Sequence, residues 1–335
     1  MVLLIDAIYI NNSGGLVLLR YLINEVLNRK LKVHFLLDER IRGYNLVSGD
    51  QVTYLIGAEK NRNDYYKREG NRYSHVLCFG NIPPTIRLNA KVYTFFQNVI
   101  LLSLPKQVPF LQRPKWLVKR LYIWKQKKNT DFWIVQTSNT QDLLAKKLHI
   151  SNRIIICPFF DESKFPENHD NVKGRTDYSF VAKCIPVKNH ELLIKGWIKL
   201  AKRNLFPVLH LTISDCPEKI NALLEEACHC GCKIINHGFC NMDEVKDIYM
   251  HSKAVVYTSL NESFGLGMIE ALNMGCDVIA PDLPYATSIC GPSEMFDYNA
   301  ESLSQAIERY EKGFSKKTTN KVRNRINDFI ELISH

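Results

Sequence analysis

Glu262-Ser263-Phe264-Gly265-Leu266-Gly267-Met268-Ile269-Glu270 is the stretch that decides the fold and locates the chemistry. It follows the apolar run Ala254-Val255-Val256-Tyr257-Thr258. It leads into a short amphipathic segment that Gly275 stops before a second apolar run, Asp277-Val278-Ile279-Ala280-Pro281. Strand, glycine turn, helix and strand make a βαβ unit. Ligands of such units sit outside the carboxyl ends of the strands, and both glutamates fall near that end. Gly265 and Gly267 let backbone N–H groups approach a phosphate where the helix begins. A carboxylate repels that phosphate but accepts hydrogen bonds from sugar hydroxyls, two at once from a vicinal diol. Phosphate donors beside diol acceptors make the chemistry of a nucleotide-sugar site.

Upstream, Tyr178-Ser179-Phe180-Val181-Ala182-Lys183 reads as a strand, followed by Cys184-Ile185-Pro186-Val187-Lys188 and a helix from about Asn189. Together with the Glu-x7-Glu run, this resembles the donor site of the retaining glycosyltransferases of family 4, of the kind that build bacterial surface polysaccharides. The resemblance implies an α/β chain of GT-B fold, two Rossmann-like domains with parallel sheets facing an interdomain cleft. It is firm over roughly 178–290 and schematic over 1–160. The family places Gly-Arg where Ala182-Lys183 stands, and Lys188 keeps the spacing of its second cation. Lysine in place of arginine removes the bidentate fork and leaves the charge.

The resemblance also assigns roles. Glu270 takes the ribose hydroxyls and Glu262 those of the donor sugar. Phe264, Gly265 and Leu266 offer backbone N–H groups to phosphate or sugar. Lys183 and Lys188 take the diphosphate, each charged hydrogen bond contributing roughly 1.5–3 kcal/mol. Gly14 and Gly15 open the first helix near the diphosphate and acceptor. Gln97 stands where many relatives carry a histidine, with Asn98 next; an amide orients substrate but is no general base. Plainer readings stand beside these. The glutamates can be N-terminal helix acids, Ser263 an N-cap, Phe264 and Leu266 packing, and Asn11, Asn12 and Ser13 caps of the first helix. The implied reaction keeps the anomeric configuration and needs no protein nucleophile, because the leaving diphosphate accepts the proton of the incoming hydroxyl. No metal is expected, since there is no Asp-x-Asp. Cleft closure would exclude water.

In 335 residues, two domains are expected: an acceptor-binding 1–160, a nucleotide-sugar-binding 161–315, and a helix from 316 to 335 that crosses back to the first domain, as it does in GT-B proteins. Residues 158–176 read as the linker and the tail from Lys316 as a basic helix. The opening, with apolar runs at 2–5 and 32–37 around a helix at 16–27, is βαβ without G-x-G-x-x-G. Further strands are expected at 75–79, 92–96, 133–135 and 153–156. No stretch is apolar and long enough to span a bilayer, and Asp6 interrupts the apolar start, which is unlike a signal peptide. The expected location is cytoplasmic, peripheral on the inner face of the plasma membrane. The ten cysteines read as reduced thiols. Cys228-His229-Cys230-Gly231-Cys232, with His237 and Cys240, has poor zinc spacing. His190 reads as structural.

Residues 1–160 carry 24 Lys/Arg against 10 Asp/Glu, a net of +14; the rest carry 20 against 24, a net of −4. The basic half points to a polyanionic partner. Arg113–Lys128 packs seven cations and no acid among Trp, Leu, Val and Ile, a composition suited to an anionic membrane interface or to packing on its own domain. Without a nucleic-acid module, nucleic acid is not expected. The acceptor is then a saccharide, lipid-linked, for capsule or O-antigen synthesis by a hexosyl- or deoxyhexosyltransferase. A GT-B nucleotide-sugar epimerase, a non-catalytic binding subunit and a membrane or nucleic-acid adaptor are the alternatives. The donor sugar, its base, the linkage and the oligomeric state are not written in these residues.

Overall fold

The computed structural model describes residues 2–104, 111, 113–165 and 174–335. They fall into two compact units. The first takes in described residues through 161 and returns for 323–335; the second takes in described residues of 162–322.

In the first unit the chain runs β1 (Leu3–Ala7), α1 (Ser13–Asn28), β2 (Val33–Asp38), β3 (Val52–Leu55), α2 (Glu59–Glu69), β4 (His75–Cys78), β5 (Lys91–Phe95), α3 (Arg113–Gln126), β6 (Phe132–Val135), α4 (Ser138–Leu148) and β7 (Ile154–Ile156). The strands form a parallel sheet in the order β3-β2-β1-β4-β5-β6-β7. Its central strands are buried on both faces, which is why they read as continuous apolar runs. β3 was not legible as a strand: it is an edge strand, half-buried at all four positions, and its apolar and polar residues alternate too briefly.

The second unit runs β8 (Asp177–Phe180), α5 (His190–Ala201), β9 (Leu209–Leu211), α6 (Glu218–His229), β10 (Ile234–Asn236), α7 (Met242–His251), β11 (Ser252–Val256), α8 (Leu266–Asn273), β12 (Asp277–Pro281), α9 (Pro284–Ile289), β13 (Cys290–Gly291), β14 (Glu294–Phe296), α10 (Ala300–Glu311) and β15 (Thr319–Asn320). Its parallel sheet has the order β10-β9-β8-β11-β12-β14, and β13 pairs antiparallel with β15. The chain leaves β8 toward β9 and β10 on one side, then returns to lay β11 and β12 on the other. The crevice between β8 and β11 is therefore the topological switch point. The first sheet has its own switch between β1 and β4.

The tail departs from the expected basic helix. Lys316, Lys317, Lys321, Arg323 and Arg325 precede the helix, in non-helical backbone pinned at Thr318: its N–H donates to Asp277 Oδ1 at 2.8 Å, and its hydroxyl accepts from the Val278 N–H. The helix itself, α11 (Ile326–Ser334), has Asp328 and Glu331 and no Lys or Arg. It belongs to the first unit. There the Phe329 ring lies 4.5 Å from Phe159 and 5.6 Å from Phe95, and the Arg325 N–H donates to the Pro158 carbonyl. Part of the expected linker, residues 166–173, lies outside the described residues.

Candidate functional site

Two segments meet at the β8–β11 switch point. Lys188 ends the turn after β8, and Glu262 follows β11. Lys188 Nζ donates to Glu262 Oε1 at 2.5 Å, with the side chains 23% and 14% exposed. The pair is thus wet on one side. Its backbone is fixed from beneath. The Leu260 N–H donates to the Val187 carbonyl, and the Thr258 hydroxyl to the Lys188 carbonyl. Asn189, in the left-handed conformation, caps α5 through its Oδ1 and donates from Nδ2 to the Tyr298 hydroxyl. That hydroxyl donates in turn to the Thr258 carbonyl, and Tyr285 Oη donates to the Ser259 carbonyl. Burial pushes the Tyr298 phenol up to about 12, so it stays a donor at neutral pH. Tyr285 and Tyr298 went unnoticed in the sequence, where nothing local marks a tyrosine whose partner is a backbone 26 or 40 residues away.

After Glu262 the chain turns at Gly265, whose φ of +62° makes it the left-handed N-cap of α8. A Cβ there would also lie 2.7 Å from Ile289 Cδ1. Ser263 is therefore not the cap. Helix geometry leaves the first N–H groups of α8 without intrahelical acceptors. Phe264 is buried, so its ring is packing, while Leu266 and Glu270 lie four apart on one half-buried face. Gly267 has a packing reason of its own: a Cβ there would collide with the Tyr257 hydroxyl. Its bareness is thus required by packing under the helix.

Burial raises the Glu270 carboxyl to about 7, against a smaller opposing pull from the Lys164 charge. A carboxyl so placed is stabilised in its ionised form by hydroxyl donors that a ligand brings. His190, buried at the start of α5, is lowered to about 4 by burial and the Lys188 charge, so it stays neutral.

Lys183 lines a recess of about 550 Å³ with Thr212, Ser214, Asp215, Phe239 and Cys240. One wall corrects the thiol reading: Cys184 and Cys216 form a disulfide, their Cα atoms 5.4 Å apart. β8 and β9 are neighbours, so the loops after them lie side by side, which a separation of 32 residues conceals. In the Cys/His cluster with poor zinc spacing, Cys228 is exposed, Cys230, Cys232 and Cys240 are half-buried, and His237 faces His210, Nε2 to Nδ1 at 2.9 Å.

In the first unit, Gly15 and Gln97 come together: a Cβ on Gly15 would lie 3.5 Å from Gln97 Nε2. Gln97 is held by donating from Nε2 to the Phe79 carbonyl and from its N–H to Asn81 Oδ1. Asn98 caps a short 3₁₀ turn through its Oδ1, the plainer role. A Cβ on Gly14 would meet nothing, so that position does not need glycine for space. Asn12 is the N-cap of α1 without a side-chain bond, and Asn11 donates instead to Asp38 Oδ2. The Ser13 side chain is outside the described residues.

Residues 161–327 match the model of the family described as Glycosyl transferases group 1. A tRNA-queuosine alpha-mannosyltransferase of Drosophila melanogaster is 29% identical over 132 residues, 36% of this chain and 34% of the relative. The match thus spans about a third of that relative's length. Among solved structures, sucrose-phosphate synthase from Thermosynechococcus elongatus is similar with a TM-score of 0.70 at 14% identity, over 93% of this chain and 90% of that one. The Anabaena protein HepE, solved with UDP and glucose, gives 0.64 at 12% identity, over 93% and 90%. These likenesses, with the two parallel-sheet units, show the GT-B fold.

Proposed function

We propose that this protein is a retaining glycosyltransferase, of the family 4 kind, which moves a hexosyl or deoxyhexosyl group from a nucleotide diphosphate sugar to a saccharide acceptor. The observation that carries the reading is the Lys188–Glu262 pair at the switch point, with Glu270 one helical face beyond the Gly265 turn. In the free protein the pair keeps both side chains where a donor needs them. With donor bound, Lys188 and Lys183 turn to the diphosphate, Glu262 to hydroxyls of the transferred sugar, and Glu270 to the ribose diol. The α8 N–H groups face the phosphate beside the leaving bond. Charge growing on the leaving oxygen is met by donors already in place, which take the part a metal would otherwise play. The acceptor hydroxyl forms its bond to the anomeric carbon on the face the diphosphate leaves. Its proton goes to a phosphate oxygen. Gln97, held beside Gly15, orients substrate and moves no proton.

The UDP and glucose of the Anabaena structure support a nucleotide-sugar donor here. The basic first half supports an acceptor on a polyanionic carrier, and we take it to be a lipid-linked saccharide of capsule or O-antigen type at an anionic membrane surface. A thermal-shift screen of nucleotide sugars tests the donor half, with wild type beside Glu270→Ala. A ligand at a hundredfold excess over its Kd adds roughly 2.7 kcal/mol of stability. One donor should stabilise wild type and not the variant, and its sugar should be transferred with retention. If no nucleotide sugar or free nucleoside diphosphate shifts wild type, the reading fails.

A further inference from the structure

Helix α3 has one face in the core and one face exposed. Ile123 is buried in a cluster with Phe96, Leu101, Trp133 and Leu144, and Trp116 packs against it. Arg120 Nε donates to the Leu101 carbonyl at 2.7 Å, which anchors that face. On the outer face, Leu117, Leu121 and Trp124 fall at the i, i+4, i+7 spacing of one stripe, and Val118 stands beside them. All four are exposed, Val118 and Leu121 to 65% each. Lys115, Lys119, Lys125 and Lys128 are exposed around the stripe. Between 113 and 128 there is no acid.

An apolar stripe left open on a helix marks a contact surface rather than chance exposure. Its cations decide the occupant. A second copy of the same face would bring like charges together with no carboxylate between them. Nucleic acid would use the lysines but would leave Leu117, Val118 and Leu121 against water or phosphate. An anionic bilayer satisfies both parts: acyl chains accept the apolar stripe, Trp124 sits at headgroup depth, and the lysine ammonium groups lie among the lipid phosphates.

We propose that α3 lies flat on an anionic lipid surface through Leu117, Val118, Leu121 and Trp124, with Lys115, Lys119, Lys125 and Lys128 on the headgroups. This deepens the reading of a lipid-linked acceptor, because it brings the first unit to the surface where such a carrier is anchored. The exposed stripe and its cations are independent of the donor site.

The test is co-sedimentation of the full chain with phosphatidylcholine vesicles, with and without phosphatidylglycerol. Wild type should bind the mixed vesicles about tenfold or more tightly than the neutral ones, and added salt should release it. Leu117→Ser/Leu121→Ser should lose this binding, and so should Lys115→Gln/Lys119→Gln/Lys125→Gln/Lys128→Gln. Both variants should keep the wild-type urea unfolding midpoint, which shows that they fold. Equal binding to both vesicle types, no binding at low salt, or variants that bind like wild type would overturn the proposal. So would a wild-type dimer that the Leu→Ser variant breaks, which would give the face to a second copy, or RNA binding insensitive to that variant without vesicle binding. If vesicles bind and no lipid-linked saccharide is glycosylated, the acceptor reading fails and the surface stands. If such a saccharide is glycosylated in detergent and vesicles do not bind, the reverse holds.

Discussion

Each sheet holds a carboxylate–cation pair near its switch point, and the two have opposite characters. In the first unit Arg62 Nε donates to Asp6 Oδ2 at 2.6 Å, with the side chains 2% and 1% exposed. Every guanidinium nitrogen and both carboxylate oxygens are used. The other guanidinium nitrogens donate to the carbonyls of Pro83 and Ile82, and Asp6 also accepts from the Tyr66 hydroxyl and the Ile8 N–H. In the second unit Lys188 and Glu262 have one hydrogen bond between them and open to water. Burial and completeness separate the roles. A buried pair with every nitrogen and oxygen bonded fixes loops, whereas a half-wet pair with a single bond between its members can exchange partners with a ligand.

The largest effect is expected at Arg62. Arg62→Leu leaves Asp6 buried without its counter-ion and is expected to cost about 3–5 kcal/mol, read as a lowered urea midpoint. A loss below about 1 kcal/mol would mean that the buried pair is not structural. Glu262→Gln is the counterpart. It should leave the midpoint nearly unchanged and lower kcat for sugar transfer about a hundredfold, because the donor sugar loses its alignment. If it unfolds the protein instead, the open pair is as structural as the closed one. Lys188→Ala should weaken nucleoside diphosphate binding by about 1.5–3 kcal/mol, seen by calorimetry as a rise in Kd of roughly ten- to a hundredfold.

The smallest effect is in the pH dependence. With the Glu270 carboxyl raised from 4.5 to about 7, the proposed donor site predicts that the ligand's hydroxyls displace the proton held there. Diphosphate-nucleoside affinity should therefore fall as pH drops from about 8 to 6, by several-fold, and Glu270→Gln should flatten the curve. The sign for stability is opposite. Between 4.5 and about 7 the folded state holds the proton more tightly than the unfolded one. Stability from this group is thus fully present below 4.5 and declines as pH rises through about 7. Urea titrations of wild type and Glu270→Gln across that window would show whether the difference runs this way.

Much of the second unit's candidate site was legible because its residues cluster along the chain: Glu262, Gly265 and Glu270 lie within one βα segment, and Lys188 keeps a set distance from a strand end. That Lys188 touches Glu262 was not legible, since β9 and β10 intervene in sequence and only sheet order makes β8 and β11 neighbours. The disulfide was missed for the same reason. Arg62 was hidden differently. It lies in Glu59-Lys60-Asn61-Arg62-Asn63-Asp64, whose composition says solvent, and only the carbonyls of Ile82 and Pro83 and the carboxylate of Asp6 reveal why it is buried. In the first unit Gly15 and Gln97 were singled out separately, and their contact depends on β1 and β5 flanking β4.

The return of α11 to the first unit makes the second unit, topologically, an insertion within the first. Synthesis is vectorial, so residues 177–320 can complete their sheets while the first unit still lacks a wall. The Phe95 and Phe159 rings must wait for Phe329, which is made last of the three. A chain stopped at residue 322 loses nothing of the second unit's sheets, yet it leaves an aromatic surface of the first unit open to solvent and to self-association. Trimming this protein from its far end would injure the part made first.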